Sequence, residues 1–115
     1  MRRDRDSLYD ILESIRLIRR YVEGHDQSHF EEDVAIQDAV ARRFEIIGEA
    51  TKRLSEQMRA AHPEVPWRAM AAMRNRVIHG YDTIDLDVMW KTIHEDLPRL
   101  ESQIEAIFSD DDPSS

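Results

Sequence analysis

The chain has 115 residues, of which 41% are hydrophobic, and this length supports one domain with a single core but not two independent cores. It contains no cysteine, which excludes disulfides, thiolate metal sites and a cysteine nucleophile. The formal net charge of −8 repels polyanions at long range, so nonspecific nucleic-acid binding is disfavoured and any contact with RNA must be local.

The sequence contains no targeting or membrane-spanning pattern. Residues 1–6 are mostly charged and lead into an amphipathic segment, without the apolar stretch of a signal peptide. No apolar run approaches the length needed to cross a bilayer. We therefore expect a cytoplasmic protein without membrane attachment.

Apolar residues at three- and four-residue steps predict two long helices in the first half of the chain. The first is ended by Gly24, residues 25–28 are a predicted loop, and the second begins near Asp33 and ends before residues 62–63. The stripe of the first helix consists of Leu8, Ile11, Leu12, Ile15, Ile18 and Val22. Gly48 lies inside the second helix, where glycine costs about 1 kcal/mol relative to alanine, so we expect a close helix contact there.

Two further helices are predicted in the second half. Pro66 suits the first turn of a short third helix, and Gly80 marks its end. Asp85 is a candidate N-cap for a fourth, long helix, in which Pro98 is expected to introduce a kink.

The C-terminal residues have a different composition. Residues 109–115 are acidic and small and poor in apolar side chains, which is typical of disorder. We therefore predict a single all-α domain over residues 1–108 and a disordered acidic tail over residues 109–115.

Polar functional groups are concentrated near the end of the predicted third helix. Residues 65–81 contain no acid, although 24 of the 115 residues are acidic. On a helix, Asn75 and His79 share a face, whereas Arg74 points about 140° away from His79. Arg74 must then reach around the helix or serve a second subunit. His79, in the last predicted turn, lies near the negative end of the helix dipole, which favours the imidazolium form.

These residue types can support RNA cleavage by its own 2′-hydroxyl. That reaction needs a base for the hydroxyl, an acid for the leaving oxygen and a cation for the phosphate, but no metal ion. His79, Arg74 and Asn75 supply such groups. The spacing alone, however, favours the simpler interpretation that Arg74 and His79 only satisfy carbonyls at a helix end.

A family resemblance changes this balance. The string from Arg74 to Tyr81 resembles the R-x4-H-x-Y signature of HepT-like proteins of the HEPN superfamily. The likeness extends over residues 8–108. Further similar segments lie at residues 37–40, 46–50, 66–67, 88–90 and 96–98.

The resemblance implies an up-down antiparallel bundle of four to five helices that forms a homodimer, with two motifs facing a two-fold cleft. It also implies a metal-independent endoribonuclease toxin that needs no cofactor and acts on RNA. In this interpretation His79 is the general base or acid, Arg74 stabilises the phosphate, and Asn75 positions the phosphate or His79. A minimal nucleotidyltransferase antitoxin, similar to MntA, would adenylylate Tyr81.

Two other interpretations stay open at this point. The chain is a non-catalytic helical module that scaffolds a nucleotidyltransferase, or it is a purely structural bundle.

Other residues also have more than one interpretation. Glu49 is a candidate for orienting one of the two motif residues, Arg74 or His79. The alternative is that Glu49 is an ordinary solvated glutamate. His25 and His29 lack the spacing of a metal site, and Trp67 and Trp90 are expected in the core or at a dimer interface.

Overall fold

The computed structural model describes residues 2–79 and 83–111, and these residues form an all-α helical bundle with one small hairpin. A π-helical turn, Thr92–Asp96, connects the last two helices. The hairpin consists of β1 (Ile78–His79) and β2 (Thr83–Ile84). The helices are α1 (Arg2–Tyr21), α2 (Gln27–Glu32), α3 (Val34–Lys52), α4 (Glu56–Ala61), α5 (Trp67–Ala71), α6 (Met73–Val77), α7 (Leu86–Lys91) and α8 (Leu97–Asp111).

Helix α1 packs against both α3 and α8. Its predicted apolar stripe is buried in the core, as expected for a helix covered on two sides. Asp10 in the middle of α1 pairs with Arg53 just after α3 at 3.3 Å, and Arg16 pairs with Glu105 of α8 at 3.3 Å. Since the guanidinium of Arg5, near the start of α1, lies over the ring of Phe108 near the end of α8, α1 runs antiparallel to α8.

The connection between α1 and α3 is more ordered than predicted. The loop prediction for residues 25–28 is wrong from Gln27 onward, because Asp26 caps α2 by accepting a hydrogen bond from the backbone N–H of His29 at 2.8 Å. Phe30 of α2 is fully buried against Trp90. The predicted start of the next helix is confirmed, since Asp33 accepts from the N–H of Ile36.

The predicted second helix is divided into α3 and α4, so its predicted continuation to residue 61 is wrong. Ser55 caps α4, and Asp4 of α1 accepts hydrogen bonds from the backbone N–H and Oγ of Ser55 at 2.9 and 2.7 Å. Burial of the Asp4 carboxyl opposes its ionisation, but the two bonds outweigh burial, and its pKa lies below the ordinary value.

The last helical segment begins where the sequence indicates and contains a π-helical turn shortly before Pro98. Asp85 caps α7 by accepting from the N–H of Val88 at 3.1 Å, which confirms the predicted start. The π-helical turn ends two residues before Pro98, whose ring clashes with an ordinary α-helical path and which lacks the N–H for the carbonyl of His94. A wider turn accommodates both effects.

Helix α8 continues to Asp111. The predicted tail at residues 109–115 therefore starts inside this helix, and residues 112–115 lie outside the described residues. None of the described helices combines the length and apolar character needed to cross a membrane.

Candidate functional site

The predicted third helix is broken twice, and this changes the geometry of the motif. Helix α5 ends at Ala71, α6 ends at Val77, and Ile78 takes an extended conformation (φ −116°, ψ 119°). His79 therefore belongs to strand β1, paired with Thr83. The prediction that His79 occupies the last turn of a helix is wrong, and so are its dipole argument and its shared face with Asn75.

Non-local pairing explains why α6 ends where it does. Ile78 pairs with Ile84 in the hairpin, and the N–H of Asp85 donates to the carbonyl of Val77 at 2.7 Å. These bonds replace the helical continuation that the sequence suggested. The hairpin therefore carries His79 away from the axis of α6.

Helix α6 has one buried face and one exposed face. Met73 and Val77 are buried in the core, whereas Arg74, Asn75 and Arg76 are exposed. The two arginines point to different neighbours, because Arg76 pairs with Asp96 of the π-helical turn at 3.4 Å. Arg74 and Arg76 thus belong to separate surfaces of the domain.

Arg74 is held by helix α3. Its Nε donates to Oε1 of Glu45 at 3.2 Å, and the other oxygen, Oε2, accepts from Nη1 of Arg42 at 3.2 Å. One carboxylate therefore joins two guanidinium groups. The side chain of Arg74 remains 45% exposed despite this contact.

A cleft of about 310 Å³ lies beside this cluster. Its charged lining residues, two of each sign, balance one another, while Ile78 and Ile84 of the hairpin form an apolar wall. Ile78 directly precedes His79, so the strand that carries His79 borders the same cleft as Arg74. The lining residues are Asp38, Ala41, Arg42, Glu45, Arg74, Ile78 and Ile84.

Close packing of α3 on α5 fixes the position of this cluster. A Cβ atom on Gly48 would lie 3.2 Å from the carbonyl oxygen of Ala71, which is tighter than an ordinary contact. The close helix approach predicted at Gly48 is confirmed. Since Glu45 is one turn before Gly48 and Arg74 is three residues after Ala71, this contact sets their separation.

The remaining candidate residues for the site are Asn75, His79, Tyr81 and Glu49. Asn75 is exposed beside Arg74, whereas Tyr81 and the side chain of His79 lie outside the described residues. Glu49 is exposed and pairs with Lys52 at 4.0 Å, so it is the ordinary solvated glutamate of the two alternatives. The acid that contacts Arg74 is Glu45, one helical turn earlier.

Glu45 and Arg42 are not among the residues that the sequence predicts for the site. A signal was available, because Asp38, Arg42 and Glu45 are separated by four and three residues and therefore share one face of α3. This face is distinct from the buried stripe that contains Phe44 and Ile47. A polar face that lies beside a close contact between two helices can bind charged side chains of the neighbouring helix.

The other residues singled out in the sequence have structural positions. Trp67 is buried, and its Nε1 donates to the carbonyl of His62 at 2.9 Å. Trp90 packs on Phe30 and on His94, with ring centroids 5.3 and 4.1 Å away. Within residues 2–79 and 83–111, no group of three or more histidines or acids is arranged to hold a metal ion.

Comparisons with known proteins show that this chain is similar to a family of ribonucleases. The model of the family described as ribonuclease HepT-like matches residues 11–107. The chain is 42% identical over 106 residues to "Probable ribonuclease HepT" of Thermococcus cleftensis, covering 92% of this chain and 96% of that protein. It is 38% identical over 100 residues to "Putative RNase MJ1380" of Methanocaldococcus jannaschii, covering 87% and 92% of the two chains.

A bacterial relative extends the likeness. "Putative RNase TTE0752" of Caldanaerobacter subterraneus is 35% identical over 108 residues, which are 94% of this chain and 96% of that protein. No solved structure gives a significant match. The similarity therefore covers the helical domain and the motif together.

Proposed function

This chain belongs to the ribonuclease HepT-like family, and from that premise we propose that it is a metal-independent endoribonuclease toxin of a toxin–antitoxin pair. The substrate is RNA, and the reaction uses the ribose of the substrate itself as the nucleophile. The proposal is supported by the family membership and by the position of Arg74 at an open cleft.

The proposed chemistry is proton transfer with charge stabilisation. His79 accepts the proton of the 2′-hydroxyl, the 2′-oxygen forms a bond to phosphorus, and the bond from phosphorus to the 5′-oxygen breaks. The leaving 5′-oxygen takes a proton from solvent water, which gives a 2′,3′-cyclic phosphate and a 5′-hydroxyl end. Arg74 stabilises the charge on the phosphate, and Asn75 positions the phosphate or His79.

One observation carries the assignment. The guanidinium of Arg74 is anchored through Nε yet almost half exposed, and it opens onto a cleft whose wall is the strand of His79. An ion pair that only stabilises the fold does not have to border an open cleft. A cation that binds a transient phosphate must be accessible to the substrate from such a cleft.

Cleavage of a labelled RNA by the purified chain tests the proposal. We expect cleavage in the presence of EDTA, ends with a cyclic phosphate, and loss of activity in His79→Ala. Arg74→Lys should lose on the order of 100-fold, because an ammonium lacks the planar fork that grips two phosphate oxygens. Arg76→Ala is the matched control, because Arg76 pairs with Asp96 outside the cleft. Dependence on a divalent ion, or equal activity in His79→Ala and Arg76→Ala, would refute the proposal.

We further propose that two copies assemble around a two-fold axis with their motifs facing one cleft, as the family resemblance implies. Because Arg74 and the strand of His79 border one cleft of the same chain, mixing Arg74→Ala with His79→Ala chains should restore no activity. Recovery of about a quarter of the wild-type activity would instead show that each site combines the two chains, because half of the dimers would then contain one intact site. A particle of 13.6 kDa by light scattering would contradict the dimer.

Control of the toxin is assigned to Tyr81. In our proposal a minimal nucleotidyltransferase antitoxin transfers AMP from ATP to the phenol oxygen, forming a phosphodiester and releasing pyrophosphate. A bulky anion within reach of Arg74 would compete with the substrate phosphate. Intact-mass measurement after co-expression should show an AMP adduct on the wild type and none on Tyr81→Phe. An undiminished adduct on Tyr81→Phe would remove this residue from the role.

Expression in cells separates the toxin from a non-catalytic scaffold. A cytoplasmic ribonuclease should arrest growth when this chain is produced alone, and the arrest should vanish in His79→Ala. A scaffold should leave growth unchanged in both cases and still bind the nucleotidyltransferase. Unchanged growth together with absent cleavage would therefore favour the scaffold.

A further inference from the structure

We propose that Glu45 is a positioning residue that fixes the guanidinium of Arg74 so that its free edge faces a phosphate of the RNA substrate. This inference deepens the proposed ribonuclease function and rests on it. Nothing in the family motif includes Glu45, which lies 29 residues before Arg74 in the chain.

The contact leaves the useful edge of the guanidinium open. A guanidinium presents five N–H donors in a fixed plane, and its two terminal nitrogens form an edge that matches two oxygens of a phosphate. Glu45 accepts from Nε of Arg74 at 3.2 Å. Among the described residues, Glu45 is the acid with which Arg74 forms an ion pair, and it contacts Nε. The edge formed by the two terminal nitrogens of Arg74 therefore stays available for a substrate.

The carboxylate itself is held from a second side. Oε2 of Glu45 accepts from Nη1 of Arg42 at 3.2 Å, while Oε1 accepts from Arg74. The two oxygens thus have different partners, which fixes the plane of the carboxylate. The side chain of Glu45 is 34% exposed, so this arrangement is partly shielded from solvent.

Comparison with Glu49 shows that Glu45 is not a typical surface acid of α3. The side chain of Glu49 is 69% exposed and its Lys52 partner is at 4.0 Å on the same helix. The Glu45 pair is shorter and connects α3 to α6, across the close contact of Gly48 with Ala71. An exposed pair on one helix adds little, whereas a pair between two packed helices constrains the direction of Arg74.

The expected consequence is a loss of rate more than a loss of binding. Without Glu45, Arg74 keeps its charge and still attracts RNA, but its edge samples many directions. Misplacement of a group that stabilises the transition state lowers kcat, while KM changes less. We expect Glu45→Ala to lower kcat by about 10-fold or more and to change KM by less than about 3-fold.

The test compares Glu45→Ala, Glu45→Gln and the control Glu49→Ala in the full chain, with kcat, KM and thermal unfolding measured for each. Glu45→Gln should recover part of the lost kcat, because its amide oxygen can still accept from Nε of Arg74. Glu49→Ala should stay within about twofold of the wild type, as expected for a solvated residue. Equal kcat in Glu45→Ala and Glu49→Ala would overturn the proposal, and so would a loss that the glutamine does not relieve.

A second readout does not depend on catalysis. The Nε–H of Arg74 should exchange slowly with solvent in the NMR spectrum of the wild type and of Glu49→Ala, and rapidly in Glu45→Ala. The signal is assigned by its absence in Arg74→Lys. If the wild type cleaves no RNA but shows this difference in exchange, the proposed function fails and the positioning by Glu45 stands. Rapid exchange already in the wild type would refute the positioning itself.

Discussion

Replacing Gly48 by alanine perturbs the contact that fixes α3 against the motif. The added Cβ would lie 3.2 Å from the carbonyl oxygen of Ala71 and 3.8 Å from that of Met70. Both atoms are backbone, so neither can move away by rotating a side chain. The end of α5 must therefore retreat from α3 by a few tenths of an ångström.

Two opposing effects determine the stability of this variant. Alanine in a helix interior is favoured over glycine by about 1 kcal/mol, whereas inserting a methyl group into a packed contact costs about 1–3 kcal/mol. The net result is a destabilisation of roughly 1 kcal/mol. For a domain of this size, that lowers the melting temperature by roughly 3–5 °C.

The same displacement affects the site. The Glu45–Arg74 contact is 3.2 Å in the native structure, and a retreat of a few tenths of an ångström brings it to the limit of a hydrogen bond. Gly48→Ala should therefore lose RNA cleavage in addition to stability. Circular dichroism at increasing temperature and the cleavage assay measure the two effects separately.

Gly24→Ala is the matched control. Gly24 has φ +80° and no atom within 4 Å of an added Cβ, so alanine there costs about 1–2 kcal/mol through the backbone and displaces no neighbour. It should lower the melting temperature to a similar extent and leave cleavage unchanged. A raised melting temperature with full activity in Gly48→Ala would contradict this account of the contact, and so would an equal loss of cleavage in Gly24→Ala.

Two further predictions concern stability alone. Asp4→Asn should destabilise the fold by about 1 kcal/mol at neutral pH, because the carboxylate that accepts from Ser55 is lost. Since the folded pKa of Asp4 is depressed, its contribution is present above the unfolded pKa of about 3.9 and is lost as pH falls through the folded value. The stability difference between the two chains, measured by urea unfolding, should therefore shrink below about pH 4, and a constant difference would contradict this assignment. Trp67→Phe removes the indole N–H that donates to the carbonyls of Arg59 and His62, and should lower the unfolding free energy by about 1–2 kcal/mol, whereas an unchanged midpoint in urea would show that the bonds contribute nothing.

The parts of the fold that local rules determine were predictable from the sequence. Asp33 and Asp85 stand before apolar periodic segments, and both cap helices as expected. The break before α4 was missed because Asp4, 51 residues away, stabilises Ser55 as a cap. Local periodicity contains no information about such a partner, so a prediction from periodicity continues the helix through the residues between α3 and α4.

The same limit applies to the site. Arg74, Asn75 and His79 are predicted as site residues from residue type and resemblance, but the relative directions predicted for them on one helix are wrong because His79 is in a strand. The end of α6 is determined by the pairing of Ile78 with Ile84, which a helical pattern cannot anticipate. Glu45 was missed because helix packing brings it to Arg74 across 29 residues of sequence.

The acidity of the chain and the proposed action on RNA lead to a prediction about salt. Arginines outside the cleft, such as Arg16, Arg53 and Arg76, are each paired with carboxylates. The two arginines that line the cleft, Arg42 and Arg74, share the single carboxylate of Glu45. RNA that contacts only these two cations releases few counterions. For single strands the slope of log K against log salt is about −0.7 per phosphate contact, which gives about −1.4 here.

That slope can be measured with a 2′-O-methyl RNA, which binds but lacks the attacking hydroxyl. Fluorescence anisotropy over a range of about 50 to 300 mM salt should give the shallow slope for the wild type, and Arg42→Ala should reduce its magnitude by about 0.7. Arg76→Ala should leave the slope unchanged, because this residue pairs with Asp96 on another surface. A slope of about −4 or steeper would require many more phosphate contacts than the cleft provides. RNA would then be held mainly by another part of the chain, and the assignment of this cleft as the principal binding site would fail.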